Sequence, residues 1–213
     1  MENDFIVAQT SNKKFTPTKT FNLQSSTFNP HTYLRVMNKQ KVFARETLAT
    51  ATHLVLPENT NTLGNLMGGQ LLNWMDVISA ISAHRHCRRI VVTAAVNNVS
   101  FQHPIKLGDI VTIEAKVSRS FNSSMEVYME VFVEHAQTGE RKKCNEANYT
   151  FVAVDQIGSA IPVPDLVPET EEEKRRYDGA LRRRQLKLIL AGKMKPDEAT
   201  ELKALFVEPK AFQ

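Results

Sequence analysis

Asp76 closes the stretch GNLMGGQLLNWMD, residues 64–76, a run of glycines and apolar side chains that patterns as a buried helix. Asp is a poor helix-interior residue because its side chain competes for nearby backbone groups, and a buried charge is costly unless it is compensated. Either Asp76 points to solvent on the exposed side, or it serves a function there; no long charged side chain lies within a turn of it, which favours a functional placement. Gly68 and Gly69 sit at the start of the same helix, where unpaired amides and the positive end of the helix dipole point outward. Lacking Cβ atoms, these positions let a carbonyl oxygen approach the amides, as an oxyanion hole requires. At a rise of 1.5 Å per residue, Gly68 and Asp76 lie ~12 Å apart along one axis. A single straight helix therefore cannot bring both to one carbonyl, whereas two antiparallel helices of a dimer can. Gly69, Ser79, Ala80 and Ala83 share the arc near Asp76, and such small residues predict a cleft or a second subunit on that side.

Other reactive residue types form no comparable constellation. His84, His86 and His103 lack an accompanying thiol or acidic ligand set, and His84 and His86 do not share a helix face, so no metal site is expected. Ser100 and Ser124 lack a nucleophile elbow. Cys87 and Cys144 are too few for a disulfide framework and read as packing residues in a reducing cytoplasm.

The elements that must hold Asp76 follow from periodicity. TATHLVLP (50–57) reads as a strand, ENTNTLGN as a turn-rich loop, and residues 68–86 as a helix with Leu71, Trp74, Met75, Ile78 and Ile81 on its sheet-facing arc. Four more strands are expected at 89–101, 109–120, 124–136 and 143–155. In the second of these, Val111, Ile113, Ala115 and Val117 alternate with Thr112, Glu114 and Lys116. Short connections at FNS and QTGE allow antiparallel hairpins, so the fold class is α+β: a five-stranded antiparallel sheet burying one helix. Residues 41–160 form that domain. Residues 1–40, rich in Ser, Thr, Asn and Lys with no period, read as a loosely ordered extension. Residues 161–213 read as a proline-bearing linker followed by helices packed on the domain.

Within 213 residues, a 42% hydrophobic and 23% charged composition fits one globular domain with extensions. No apolar stretch reaches the ~20 residues needed to span a bilayer, and MENDFIVAQTSNKK carries no signal pattern, so a cytoplasmic protein without membrane insertion is expected. The net charge of +4 raises the question of polyanions. Its visible bias sits in EEEKRRYDGALRRRQLKLILAGKMK (171–195), whose acidic start and basic body have the polarity a helix prefers, and no nucleic-acid partner is inferred from it.

LPENTNTLGNLMGGQLLNWMD, VVTAAVNNVSFQHPIKLGD, SSMEV and VPETEEEKRRY together closely resemble the acyl-CoA thioesterases of the hotdog fold, in the branch of bacterial broad-range and cytosolic brain-type acyl-CoA hydrolases. The resemblance runs from about residue 45 to 190. It implies a sheet wrapped around a central helix, a dimer as the active unit and a hexamer built as a trimer of dimers. It also implies an acyl-CoA substrate and no cofactor, since coenzyme A is part of substrate and product. Asn61 and Asp76 match the two catalytic positions, which implies Asp76 as general base for water or as a nucleophile forming an anhydride, Asn61 as the residue that orients water or substrate, and Gly68 with Gly69 as the holders of the thioester oxygen. The resemblance carries coenzyme A contacts onto Ala94, Ala95 and Val96 for the pantetheine arm, onto Ser123, Ser124 and Met125 at a hairpin turn, and onto Arg184 for a phosphate. Two other classes fit less well. A non-catalytic acyl-CoA sensor would need neither Asn61 nor Asp76, and a hydratase would want a His near the helix start, where there is none.

Overall fold

Strict alternation builds the sheet. In β4 (Ile110–Ser120), Val111, Ile113, Ala115 and Val117 are all buried, and their odd-numbered counterparts in β5 (Ser124–Glu134) and β6 (Arg141–Val154) continue the same inner face. The computed structural model describes residues 40–97, 99 and 103–207; the expected extension at 1–40 lies outside these apart from Gln40. With β2 (Ala49–Leu54) and β3 (Ile90–Asn97), these strands form one antiparallel sheet in the order β2-β4-β5-β6-β3. β2 and β3 are therefore its two edges. β1 (Lys41–Phe43) and β7 (Asp165–Val167) form a separate parallel pair that the sequence reading missed. Three residues per strand are too few to display a period.

α1 (Gly68–Cys87) lies across the inner face and touches all five strands, so the sheet curls around it in the hotdog arrangement. Leu71, Met75 and Ile78 are buried as expected, and Trp74 stacks on His53 of β2 with ring centroids 4.2 Å apart. Ile81, however, is 41% exposed. The buried stripe passes instead through Ser79, Ser82, Ala83 and His86, because the small side chains let a curled sheet approach the later turns closely. Ser79 Oγ donates to the Met75 carbonyl at 2.6 Å, which satisfies the hydroxyl without a partner from the sheet. Within the small-residue arc, Ser79 and Ala83 are buried in the chain itself, whereas Ala80 is half-buried and Gly69 exposed.

The first strand ends at Leu54 rather than Pro57, and residues Pro57–Asn59 form a short 3-10 turn. α2 (Glu171–Leu190) crosses the outer face. Thr170 Oγ1 accepts from the Glu173 amide at 3.2 Å, and Glu173 Oε2 accepts from Thr170 N in return, a capping box that the sequence TEEE encodes. Glu173 also pairs with Lys116 of β4 at 3.0 Å, tying the helix start to the sheet. α3 (Thr200–Val207) follows, packed on α2. No helix among the described residues is long and apolar enough to cross a membrane.

Candidate active site

Asp76 is half-buried on α1, and its Oδ1 accepts a hydrogen bond from Thr93 Oγ1 at 2.8 Å. Thr93 belongs to the edge strand β3, so the carboxylate is held at an open side of the sheet. A β-bulge between Thr93 and Ala95 leaves Ala94 as the extra, exposed residue. β3 pairs only with β6, and its other edge is unpaired among the described residues. Ala94, Ala95 and Val96 therefore present backbone groups along a free edge, the kind of edge an extended amide chain can join. Ile90, Val92 and Val96 on the same strand are large apolar residues left exposed.

The loop before α1 is built around Asn61. Its side-chain oxygen accepts from the amides of Leu63 at 2.9 Å and Asn65 at 3.2 Å, and its carbonyl accepts from Gly64, whose φ of 70° suits glycine. With the oxygen committed to the turn, the exposed side-chain amide can serve as a donor. At the helix start, the Met67 carbonyl takes the amides of Gln70 and Leu71 while its side chain caps nothing. Among the described residues no hydrogen bond occupies the Gly68 or Gly69 amide. A Cβ on Gly69 would meet open space, so packing within the chain does not require glycine there. Gly68 borders a cavity of about 420 Å³ walled by Leu66, Leu71, Pro104 and Ile105. No hydrogen bond joins the Asn61 loop to Asp76 among the described residues.

A second cavity, about 160 Å³, lies where α2 meets the sheet, bordered by Ala95, Phe121, Glu126, Arg184, Lys187 and Leu188. Arg184 donates to Ser124 Oγ at 3.2 Å and stacks over the Phe121 ring at 4.3 Å, which fixes its guanidinium at the rim. Of the expected hairpin residues, Ser124 is thus in contact with Arg184. The Ser123 carbonyl is taken by the Ala153 amide, and the Met125 side chain is fully buried in the core, leaving it no route to a phosphate. Glu126 is buried and bridged by Arg183, with Nη2 to Oε1 at 2.6 Å and Nε to Oε2 at 3.1 Å. Burial pushes the Lys187 ammonium below the usual lysine range; Glu126 opposes this, and Arg183 and Arg184 add to it. Three cations thus gather around one carboxylate, leaving net positive charge at the cavity.

Thr93 and Lys187 escaped the sequence reading. Lys187 follows Arg184 by one helical turn, and that spacing could have found it. Nothing local marks Thr93. Among the histidines, His84 is exposed with Nδ1 2.9 Å from the Arg89 carbonyl, while His86 is buried on the opposite face.

The profile of the thioesterase superfamily matches residues 63–140. The acyl-CoA thioester hydrolase YkhA of Bacillus subtilis is 44% identical over 141 residues, which make up 66% of this chain and 82% of that protein. An apo-hexameric acyl-CoA thioesterase superposes with a TM-score of 0.69 at 39% identity, covering 71% of this chain and 97% of its own. The acyl-CoA hydrolase of Staphylococcus aureus, solved with butyryl coenzyme A, coenzyme A and coenzyme A disulfide, gives a TM-score of 0.65 at 33% identity over 72% of this chain and 95% of its own. That hydrolase has also been solved with an Asp, an Asn or a Thr replaced by Ala. Its substituted Asn precedes the Asp by 15 residues and its Thr follows by 17, the spacings of Asn61, Asp76 and Thr93 here.

Proposed function

This chain belongs to the acyl-CoA thioester hydrolases of the thioesterase superfamily, and from that premise we propose that it cleaves an acyl-CoA with Asp76 as general base, at a site completed by a second copy of the chain. The observation that carries the reading is the Thr93–Asp76 hydrogen bond, which aims a carboxylate at the unpaired edge of β3 rather than into the core. In the proposed step, Asp76 takes a proton from water as the oxygen attacks the thioester carbon. The oxyanion of the tetrahedral intermediate lies on the Gly68 and Gly69 amides of the partner helix, where backbone donors are unoccupied. Collapse breaks the C–S bond, and the departing thiolate recovers the proton from Asp76, giving a free acid and coenzyme A.

Asn61 donates from its side-chain amide, since its oxygen is used within the loop. Arg184, with Lys187, binds phosphate oxygens of the coenzyme, and the free edge at Ala94–Val96 meets the pantetheine amides. Coenzyme A is consumed and released as part of the substrate, so the reaction calls for no cofactor. Exposed Ile90, Val92 and Val96 on an unpaired edge favour burial against a second copy, and the hexameric neighbour suits a trimer of such dimers. Cys87 and Cys144 are unpaired thiols, which a cytoplasmic location suits.

Asp76→Asn keeps the shape of the side chain and loses its basicity, so kcat should fall about 10²-fold or more while assembly persists. Mixing inactive Asp76→Asn chains with inactive Asn61→Ala chains, after dissociation and reassociation, should restore about a quarter of wild-type activity. Half of the dimers are then mixed, each with one site free of both lesions. A mixture that exchanges subunits yet stays inactive refutes the shared site.

A further inference from the structure

Tyr149 on β6 is 1% exposed beneath α1, and its hydroxyl, also buried, has no hydrogen-bond partner among the described residues. Buried polar groups are nearly always paired, and a phenol in a core can be replaced by Phe at no cost in shape. An orphan hydroxyl held there calls for an explanation beyond packing.

The strand register supplies one. Thr93 stands opposite Phe151 and Val96 opposite Tyr149, so Tyr149 is the diagonal neighbour of Thr93 on the face turned toward α1. Diagonal neighbours in an antiparallel pair lie ~7–8 Å apart, within reach of an aromatic side chain. From that face Thr93 Oγ1 reaches Asp76 Oδ1 at 2.8 Å. Burial, and then the negative charge of Asp76, push the Tyr149 hydroxyl up to about 12. The phenol therefore keeps its proton at any pH at which a carboxylate base operates, and beside a carboxylate it can only be the donor. Among the described residues the hydrogen bonds made to Asp76 from other side chains come from uncharged groups: Thr93 of β3, and Ser79 of α1, whose hydroxyl lies 3.0 Å from the Asp76 main-chain carbonyl.

We propose that Tyr149 is a positioning residue for the hydrolysis: its hydroxyl donates across one water to the Asp76 oxygen that Thr93 leaves free, and so orients the carboxylate toward the attacking water. The proposal rests on the reading of Asp76 as the base. Tyr149 loses no proton in the cycle; it holds the group that does.

Tyr149→Phe should lower kcat for a short-chain acyl-CoA, followed by thiol release, about tenfold with KM unchanged. The acid limb of the kcat–pH profile should move to higher pH by about one unit, because a donor to the charged carboxylate has been removed. Its Tm should hold or rise, since the hydroxyl makes no bond in the folded chain that the change would break. Phe151→Leu, one step along the same face, serves as the packing control: it should lower Tm and leave the acid limb in place. A Tyr149→Phe enzyme with wild-type kcat and acid limb overturns the proposal, as does one whose loss of activity comes with a lowered Tm and an unmoved limb. Asp76→Asn assayed in parallel separates the two levels. If that variant keeps its activity, the base assignment fails and Tyr149 with it; if it is inactive while Tyr149→Phe is unaffected, only Tyr149 is wrongly assigned.

Discussion

The two halves of the proposed site are built in opposite ways. At the basic end of α2, Arg183, Arg184, Lys187, Glu126, Ser124 and Phe121 already hold one another within a single chain. At the catalytic end, Asp76 has one side-chain partner, the amides of Gly68 and Gly69 have none among the described residues, and the Asn61 loop makes no hydrogen bond to Asp76. The difference teaches where the energy for binding and for chemistry is invested. Holding several cations together needs a compensating carboxylate and stacking surface at all times, because like charges repel in the absence of ligand. A hydrolytic centre, by contrast, gains from donors kept unoccupied until a carbonyl arrives, and a subunit seam can deliver them.

The sharpest way to break this contrast is at the sparse end. Asn61→Asp retains an oxygen for the amides of Leu63 and Asn65 but removes the outward donor. kcat should drop about 10²-fold with Tm nearly unchanged, which steady-state kinetics and a melting curve together would check. Full activity would reduce Asn61 to a loop-building residue.

A smaller effect is expected at the crowded end. Arg184→Ala should raise KM for acyl-CoA about tenfold, with kcat little altered and a weaker dependence on salt; Lys187→Ala should do the same to a lesser degree. Neither should change KM for an acyl-pantetheine, which lacks the nucleotide. Equal losses on both substrates would make this cluster a structural clamp rather than a phosphate site.

The smallest effect lies in the scaffold between the two. His86 is buried near the end of α1, with Nε2 2.9 Å from the Pro164 carbonyl and Nδ1 unpartnered among the described residues. Burial holds its imidazole below the ordinary 6.5, outweighing the Pro164 bond and the charge of Asp165. The unfolded chain therefore takes up this proton first, so the associated stability is present above pH 6.5 and is lost as pH falls toward the folded-state value. Tm measured between pH 8 and pH 5 should decline on the acid side in the wild type and decline less in His86→Gln. Identical slopes would remove His86 from the account, and a matching change in kcat at pH 8 would link the scaffold to one of the two ends.

Much of the molecule was legible because local chemistry dictates it. Val111, Ile113, Ala115 and Val117 had to share a face, and all four are buried. The polarity of residues 171–190 had to favour a helix, and its capping box is present. The helix bearing Asp76 was also legible, with the loop ahead of it, since the motifs of the resemblance run through both; Arg184, which only the resemblance singled out, stands at a cavity rim beside Ser124. Ile81, Ser79 and Ala83 show where the reading stopped. Angular position on a helix tells which residues share an arc, but not how far a curled sheet wraps around that arc, and here the sheet covers the serine side and leaves Ile81 in the open.

Sequence alone determined the number and kind of the main elements, the presence of a carboxylate inside an apolar helix, and the glycine pair at that helix's start, because periodicity, capping and backbone freedom are local properties. Only tertiary structure decided that Thr93 meets Asp76, that Tyr149 stands diagonal to Thr93, and that Glu126 lies among Arg183, Arg184 and Lys187. The second depends on strand register and the third on how α2 packs across the sheet, and the register of β3 turns on a single extra residue at Ala94. A bulge of one residue changes which side chains are neighbours across the sheet while leaving the local sequence pattern almost as it was.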